Sequence, residues 1–213
     1  MNRDLHSIRR DYQFEDLLED TVGTNPLAFF DQWLEHAIEE GIDDPTAMII
    51  GTVDSQGQPH SRVVLLKHRD EQGFTFFTNY DSDKGQQLAL NNKASLTFFW
   101  STLSRQIRIE GIVEKISREA SESYFSGRPR DSQLAARTSK QSSIIRNRGE
   151  LQEAFKIEER EFHNQKVTCP ENWGGYVLKP NYIEYWQGRP SRLHDRLCFT
   201  KDGDKWLLER KAP

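Results

Sequence analysis

Short runs of strand-forming residues separated by tight turns constrain this chain most. Residues 46–53 and 59–68 flank Asp54-Ser55-Gln56-Gly57, a turn sequence suited to joining antiparallel strands. A third strand is expected over 74–79, after a second turn from Arg69 to Gly73. Others follow at 94–100 and 106–116, the latter interrupted by Gly111, and then at 174–178, 182–187, 192–200 and 205–210. Helices are inserted between strands rather than alternating with them. Asn25-Pro26 starts the first, with Leu27, Phe30, Leu34, Ala37 and Ile38 at helical spacing and Gly41 as its stop. Further helices are expected over 82–90, 118–126, from near Pro129, and over about 148–163. This order argues for a mainly antiparallel sheet with peripheral helices, not a doubly wound parallel one. With so many strands, closure into a barrel is the economical way to remove exposed edges. No repeat or low-complexity linker divides the chain. A flexible arm, residues 1–24, is expected to precede a single domain over 25–213.

Composition narrows the setting. No apolar run approaches the roughly 18 residues that span a bilayer, and the first residues are polar. Two cysteines, Cys169 and Cys198, are too few for a disulfide framework. A cytoplasmic protein without a membrane partner is expected. The net charge of -4 argues against general nucleic-acid binding. One stretch runs the other way: from Arg128 to Arg148 six cations face the single acid Asp131. Small phosphates suit such a patch better than a duplex does.

Several constellations carry chemistry. In a strand over 192–200, period-two alternation puts Arg192, His194 and Arg196 on one face, toward solvent or a bound anion. Arg62 and Lys67 lie about 16 Å apart at roughly 3.3 Å per residue and point to opposite faces of a regular strand. Phe77-Thr78 leads into a helix start carrying Ser82 and Lys84, where free amides can hold a phosphate. A plain capped helix explains the same residues. Tyr124, Arg128 and Ser132 gather a phenol, a guanidinium and a hydroxyl near a helix start, although Gly127 and Pro129 break their helical register. Gln141-Ser142-Ser143 offers further polar contacts. No histidine spacing suits a metal. His68-Arg69-Asp70 reads as a turn and Cys198 as a packed strand residue.

Together these segments resemble the pyridoxine/pyridoxamine 5'-phosphate oxidase family over nearly the whole chain. The resemblance rests on Arg62 to Lys67, Tyr124 to Gln133, Ser139 to Ser143, Trp173-Gly174-Gly175, Trp186-Gln187-Gly188 and Arg192 to Arg196. It implies an FMN-binding split β-barrel and a homodimer with FMN at the subunit interface. It also implies oxidation of pyridoxamine or pyridoxine 5'-phosphate by dioxygen, with hydrogen peroxide as by-product. Cofactor contacts would be Arg62, Val63, Val64, Leu65, Lys67, Phe77, Thr78, Lys84, Gln106, Gln141, Ser142, Trp186 and Arg196. Lys67, Tyr124, Arg128 and Ser132 would hold the substrate phosphate, with Arg192 and His194 over its ring as the catalytic pair. Arg9 and Tyr12 belong to an arm that folds over the site. Asp83 departs from the family pattern, which has an arginine there. A carboxylate about 5 Å from a phosphate dianion is repelled by roughly 6 kcal/mol at an effective dielectric near 20. Asp83 is therefore expected to point away, paired with a cation, and FMN to bind less tightly than is usual.

Two other readings compete. A flavin reductase of the same fold needs no Tyr124-Arg128-Ser132 set, and a non-catalytic flavin or pyridoxal phosphate carrier would produce no peroxide. A nucleic-acid role for 128–148 would show as steep salt-dependent binding.

Overall fold

The computed structural model describes Asp4, His6, Tyr12 and residues 16–213. Nine strands form one sheet in the order β2-β1-β5-β6-β7-β4-β3, with β8 on β7 and β9 on β8. They are β1 (Ala47–Val53), β2 (Pro59–Leu65), β3 (His68–Asp70), β4 (Gly73–Asn79), β5 (Lys93–Trp100), β6 (Arg105–Lys115), β7 (Trp173–Gln187), β8 (Asp195–Asp202) and β9 (Lys205–Arg210). The helices are α1 (Pro26–Glu39), α2 (Asp83–Leu90), α3 (Arg118–Ser126), α4 (Arg130–Thr138) and α5 (Arg148–Glu161). The chain divides into two compact units. One holds the described residues up to Ile49 with Ser95–Glu110 and Pro180–Pro213; the other holds Ile50–Ala94 and Gly111–Lys179.

In the first unit, Asn25 caps α1 by accepting from the amides of Leu27 and Ala28, and Pro26 occupies the first turn, where no N–H is needed. The buried face is Leu27, Phe29, Phe30, Trp33 and Ala37. Ile38 is exposed, so the apolar stripe lies rotated from the expected one because the larger rings of Phe29 and Trp33 take the core side. Tyr185 of β7 packs edge-on against both rings and donates to the carbonyl of Pro26 at 2.6 Å. Residues just before α1 are anchored: Leu17 and Val22 are buried, and the Leu17 amide donates to Asp195. Arg210 of β9 donates to both Glu19 and Asp195, and that contact holds the Glu19 carboxyl down at about 2.

The second unit contains the expected β1–β2 hairpin. Asp54 accepts from the amides of Gln56 and Gln58, and Gly57 takes a φ of +83°. β2 ends at Leu65, before the expected boundary. His68–Asp70 is a short strand paired with β4 rather than a turn; the turn lies after it, where Asp70 accepts from the amides of Gln72 and Gly73. Phe125, Leu134, Phe162, Val167 and Trp173 form a core beneath α3, α4 and α5.

Two strand boundaries differ from expectation. β7 is continuous through Pro180, whose missing N–H falls between two ladders: pairing with β4 ends at Leu178 and pairing with β8 begins at Tyr182. Gly111 does not interrupt β6. It permits close approach instead, since a Cβ there would meet the Lys179 carbonyl oxygen at 2.1 Å.

Candidate functional site

A cavity of about 680 Å³ opens in the second unit, a size suited to a cofactor or substrate. It is walled by the end of β2 (Arg62, Val63, Val64, Leu65), by Lys67, and by Phe77 and Thr78 of β4. Lys84 of α2, Tyr124, Arg128, Ser132, Gln141 and Ser142 complete it. Thirteen sequence-predicted site residues therefore share one wall system. Arg62 and Lys67 were expected on opposite strand faces, yet both line it. The alternation ends at Leu65, so Lys67 is free of the strand's period.

One end is built around Lys84 and Arg62. Ser82 caps α2, and the Lys84 ammonium is buried, donating to Thr78 Oγ1 at 3.1 Å, Gln141 Oε1 at 3.1 Å and Ser82 Oγ at 3.3 Å. Burial, and then the neighbouring Arg62, lower its pKa. Arg62 donates to Thr52 Oγ1 and to Gln87 Oε1, and burial lowers its pKa too. All these acceptors are neutral, so two cations share the pocket end with incomplete charge compensation. That is a setting for an anion. The amides expected to be free are partly used: Asp83 N–H donates to Ser142 Oγ and Gly85 N–H to Ser82 Oγ. Cation side chains rather than the helix terminus dominate this end. Asp83, expected to point away, lines the cavity beside them. Its place in the first turn of α2, one residue before Lys84, leaves it on the cavity wall.

The other end centres on Arg128. Its guanidinium lies 4.7 Å above the Trp173 ring, and its Nη1 is buried with no hydrogen-bond partner among the described residues. Desolvation lowers its pKa. Tyr124 stacks on Phe77 at 3.8 Å and is nearly parallel to Trp173. The break between α3 and α4 brings Tyr124, Arg128 and Ser132 to one cavity although it destroys their helical register. Gln133 holds that break by donating to the carbonyls of Phe125, Ser126 and Arg128. The wider basic stretch is not one patch. Arg130 donates to the carbonyls of Phe162 and Gln165, Arg137 pairs with Glu158, and Arg146 pairs with Glu150.

The remaining predicted residues belong to the first unit, and Arg9 lies outside the described residues. Gln106 is half-buried on β6. Trp186 faces Arg196 across β7 and β8. Arg192 and His194 do not sit on a strand: Pro190–Arg192 is a 3-10 turn, Ser191 and Arg192 take φ of +56° and +63°, and β8 begins only at Asp195. These left-handed residues break the expected alternation with Arg196. His194 packs against Trp186 at 4.7 Å and Tyr12 at 5.4 Å. Tyr12 is also edge-on to Trp186 and seats over Gly188, where a Cβ would approach its ring to 2.7 Å. Arg196 is held by buried Glu184, Nη2 to Oε2 at 2.9 Å and Nε to Oε1 at 3.2 Å, and it donates to the Ala212 carbonyl.

Sequence reasoning missed Thr52 and Gln87, which brace Arg62, and Gln133 and Glu184, which position Arg128 and Arg196. Gln87 follows Lys84 by one helical turn, a spacing that could have drawn attention to it.

Comparison with known proteins places this geometry. Residues 34–163 match the family described as pyridoxamine 5'-phosphate oxidase. Residues 173–213 match the pyridoxine 5'-phosphate oxidase C-terminal dimerisation region. A pyridoxine/pyridoxamine 5'-phosphate oxidase from Pseudomonas fluorescens (strain Pf0-1) is 50% identical over 215 residues, covering all of both chains.

The chain belongs to the pyridoxine/pyridoxamine 5'-phosphate oxidase family.

A second relative of that name, from Hydrogenovibrio crunogenus, is 50% identical over 219 residues, covering 100% of this chain and 99% of its own. PhzG from Burkholderia lata, solved with tetrahydrophenazine-1-carboxylic acid, superposes with a TM-score of 0.88 at 26% identity, covering 93% of this chain and 98% of its own. An FMN-binding protein related to pyridoxamine 5'-phosphate oxidase, from Nostoc punctiforme, gives 0.72 at 16% identity, covering 90% and 100%. The expected fold class holds: a mainly antiparallel, FMN-binding split β-barrel. Like its family, this member is an oxidoreductase whose cofactor is FMN. The residues fit that cofactor, since the buried Lys84 and the neighbouring Arg62 donate only to neutral acceptors and together call for an anionic group.

Proposed function

We propose that this chain oxidises pyridoxamine 5'-phosphate or pyridoxine 5'-phosphate to pyridoxal 5'-phosphate, passing two electrons to dioxygen and releasing hydrogen peroxide. The single observation that carries this reading is one cavity lined by four cations, in which Arg62 neighbours Lys84 while Arg128 lies over Trp173 with its buried Nη1 unpartnered among the described residues. Two phosphorylated ring compounds fit that arrangement. FMN, when bound, supplies the two-electron acceptor.

Arg62, Lys84, Thr78, Gln141 and Ser142 hold the cofactor phosphate, while Val63, Val64, Leu65 and Phe77 supply apolar wall. Lys67, Tyr124, Arg128 and Ser132 hold the substrate phosphate, with the buried Nη1 of Arg128 donating to it. Lys67 also contacts the cofactor. Gln106, Trp186, Arg192, His194 and Arg196 join the site across the interface of a homodimer, a reading supported by the match of residues 173–213 to a dimerisation region. Arg9 and Tyr12 close over the substrate. Arg192 and His194 orient the substrate ring, which converts binding into a defined approach geometry. Arg196, fixed in place by Glu184, contacts the cofactor. An amine substrate gives an imine, which water hydrolyses to the aldehyde and ammonia. The enzyme works in the cytoplasm, without nucleic acid or membrane as partner.

The test is spectroscopic. The purified protein is expected to be yellow and to bleach when pyridoxamine 5'-phosphate is added under nitrogen; readmitting air should restore the colour and form peroxide. A preparation that takes up no flavin, or whose flavin stays oxidised with either substrate, refutes the reading.

A further inference from the structure

Among the described residues lining the cavity, Asp83 is the single carboxylate against four cations, Arg62, Lys67, Lys84 and Arg128. It stands on the same wall as Arg62 and Lys84, one residue before the buried lysine, and its amide donates to Ser142. Asp81, two residues earlier, is fastened elsewhere by Asn172, whose amide donates to it at 2.7 Å. Asp83 is near enough to favour the charged forms of both Arg62 and Lys84, partly offsetting their desolvation. It does for these cations in part what a phosphate would do fully.

We propose that Asp83 is a resident competitor for Arg62 and Lys84 that weakens the preference of this pocket for phosphorylated over dephosphorylated flavin. The proposal rests on the reading that this end takes the FMN phosphate. A phosphomonoester dianion arriving here gains two cations and meets one fixed carboxylate. Riboflavin, which lacks the phosphate, meets neither effect. The charge at position 83 therefore acts on the ratio of the two affinities more than on flavin binding in general.

The experiment measures dissociation constants of FMN and riboflavin, by quenching of flavin fluorescence, on the full chain stripped of flavin. Asp83→Asn is expected to tighten FMN about tenfold, or ~1.4 kcal/mol, with riboflavin unchanged. Asp83→Glu, which keeps the charge and the helix start, is expected to behave like the parent. An unchanged FMN constant in Asp83→Asn, or equal shifts for both flavins, overturns the proposal. Arg62→Gln separates the two levels: it is expected to weaken FMN far more than riboflavin. If it weakens both equally, the placement of the phosphate at this end fails. If it behaves as expected while Asp83→Asn does nothing, only the role of Asp83 fails.

Discussion

The amide of Arg189 donates to Nδ1 of His194 at 3.0 Å. A ring nitrogen that accepts carries no proton, so the proton of the neutral imidazole resides on Nε2. Desolvation, and then the charge of Arg192, lower the pKa of this histidine, with Asp195 opposing them. The ring is thus neutral at physiological pH, with Nε2–H as a donor that no described residue takes up.

The first prediction follows from that direction. The His194 midpoint, read by NMR, should lie below its ordinary value near 6.5, and Arg192→Ala should raise it. Because the folded-state pKa is depressed, the stability linked to this group is present above the unfolded value and lost as pH falls through the folded one. A midpoint above 6.5 would contradict the lowered pKa and the desolvation that causes it.

Arg128→Ala should reduce kcat/KM for pyridoxamine 5'-phosphate by two to three orders of magnitude, about 3–4 kcal/mol, while FMN content stays near the parent's. Arg128→Lys should recover only part of that, since an ammonium cannot reproduce a planar guanidinium stacked on Trp173. Loss of bound flavin in Arg128→Ala would assign this residue to the cofactor instead.

Glu184→Gln should destabilise the fold by about 2 kcal/mol in urea titration. The carboxylate is buried and accepts from Arg196, Arg108 and the Tyr182 hydroxyl, so its loss leaves Arg196 without its counter-charge, while Arg108 keeps Glu110 at 2.7 Å. A change under 0.5 kcal/mol would show that the network relaxes freely.

Ser104→Gly should act in the opposite sense, raising stability by about 0.5–1 kcal/mol. Ser104 takes a φ of +50°, and its buried hydroxyl has no partner among the described residues. A lowered melting temperature would mean that its hydroxyl serves a role its surroundings do not reveal.

Local chemistry made much of the fold legible. Asn25-Pro26, Ser82 and the Asp54–Gly57 turn each specify their element within a few residues, and β9 and α3 fall where expected. The failures are non-local. Pro180 reads as a strand terminator until its neighbours' partners are known, and Ser191 and Arg192 adopt left-handed backbone without glycine. In the site, the charged groups of one cavity announce themselves by type, whereas Thr52 and Gln87 are neutral residues 35 positions apart. Nothing in the linear chain pairs them.

Arg210 clasps Glu19 and Asp195, and Asp195 in turn accepts from the Leu17 amide. Opening of β9 and release of the segment ahead of α1 are therefore one cooperative event. In hydrogen–deuterium exchange, the Leu17 amide should show the same protection as the β9 amides, and both should fall together in Arg210→Ala.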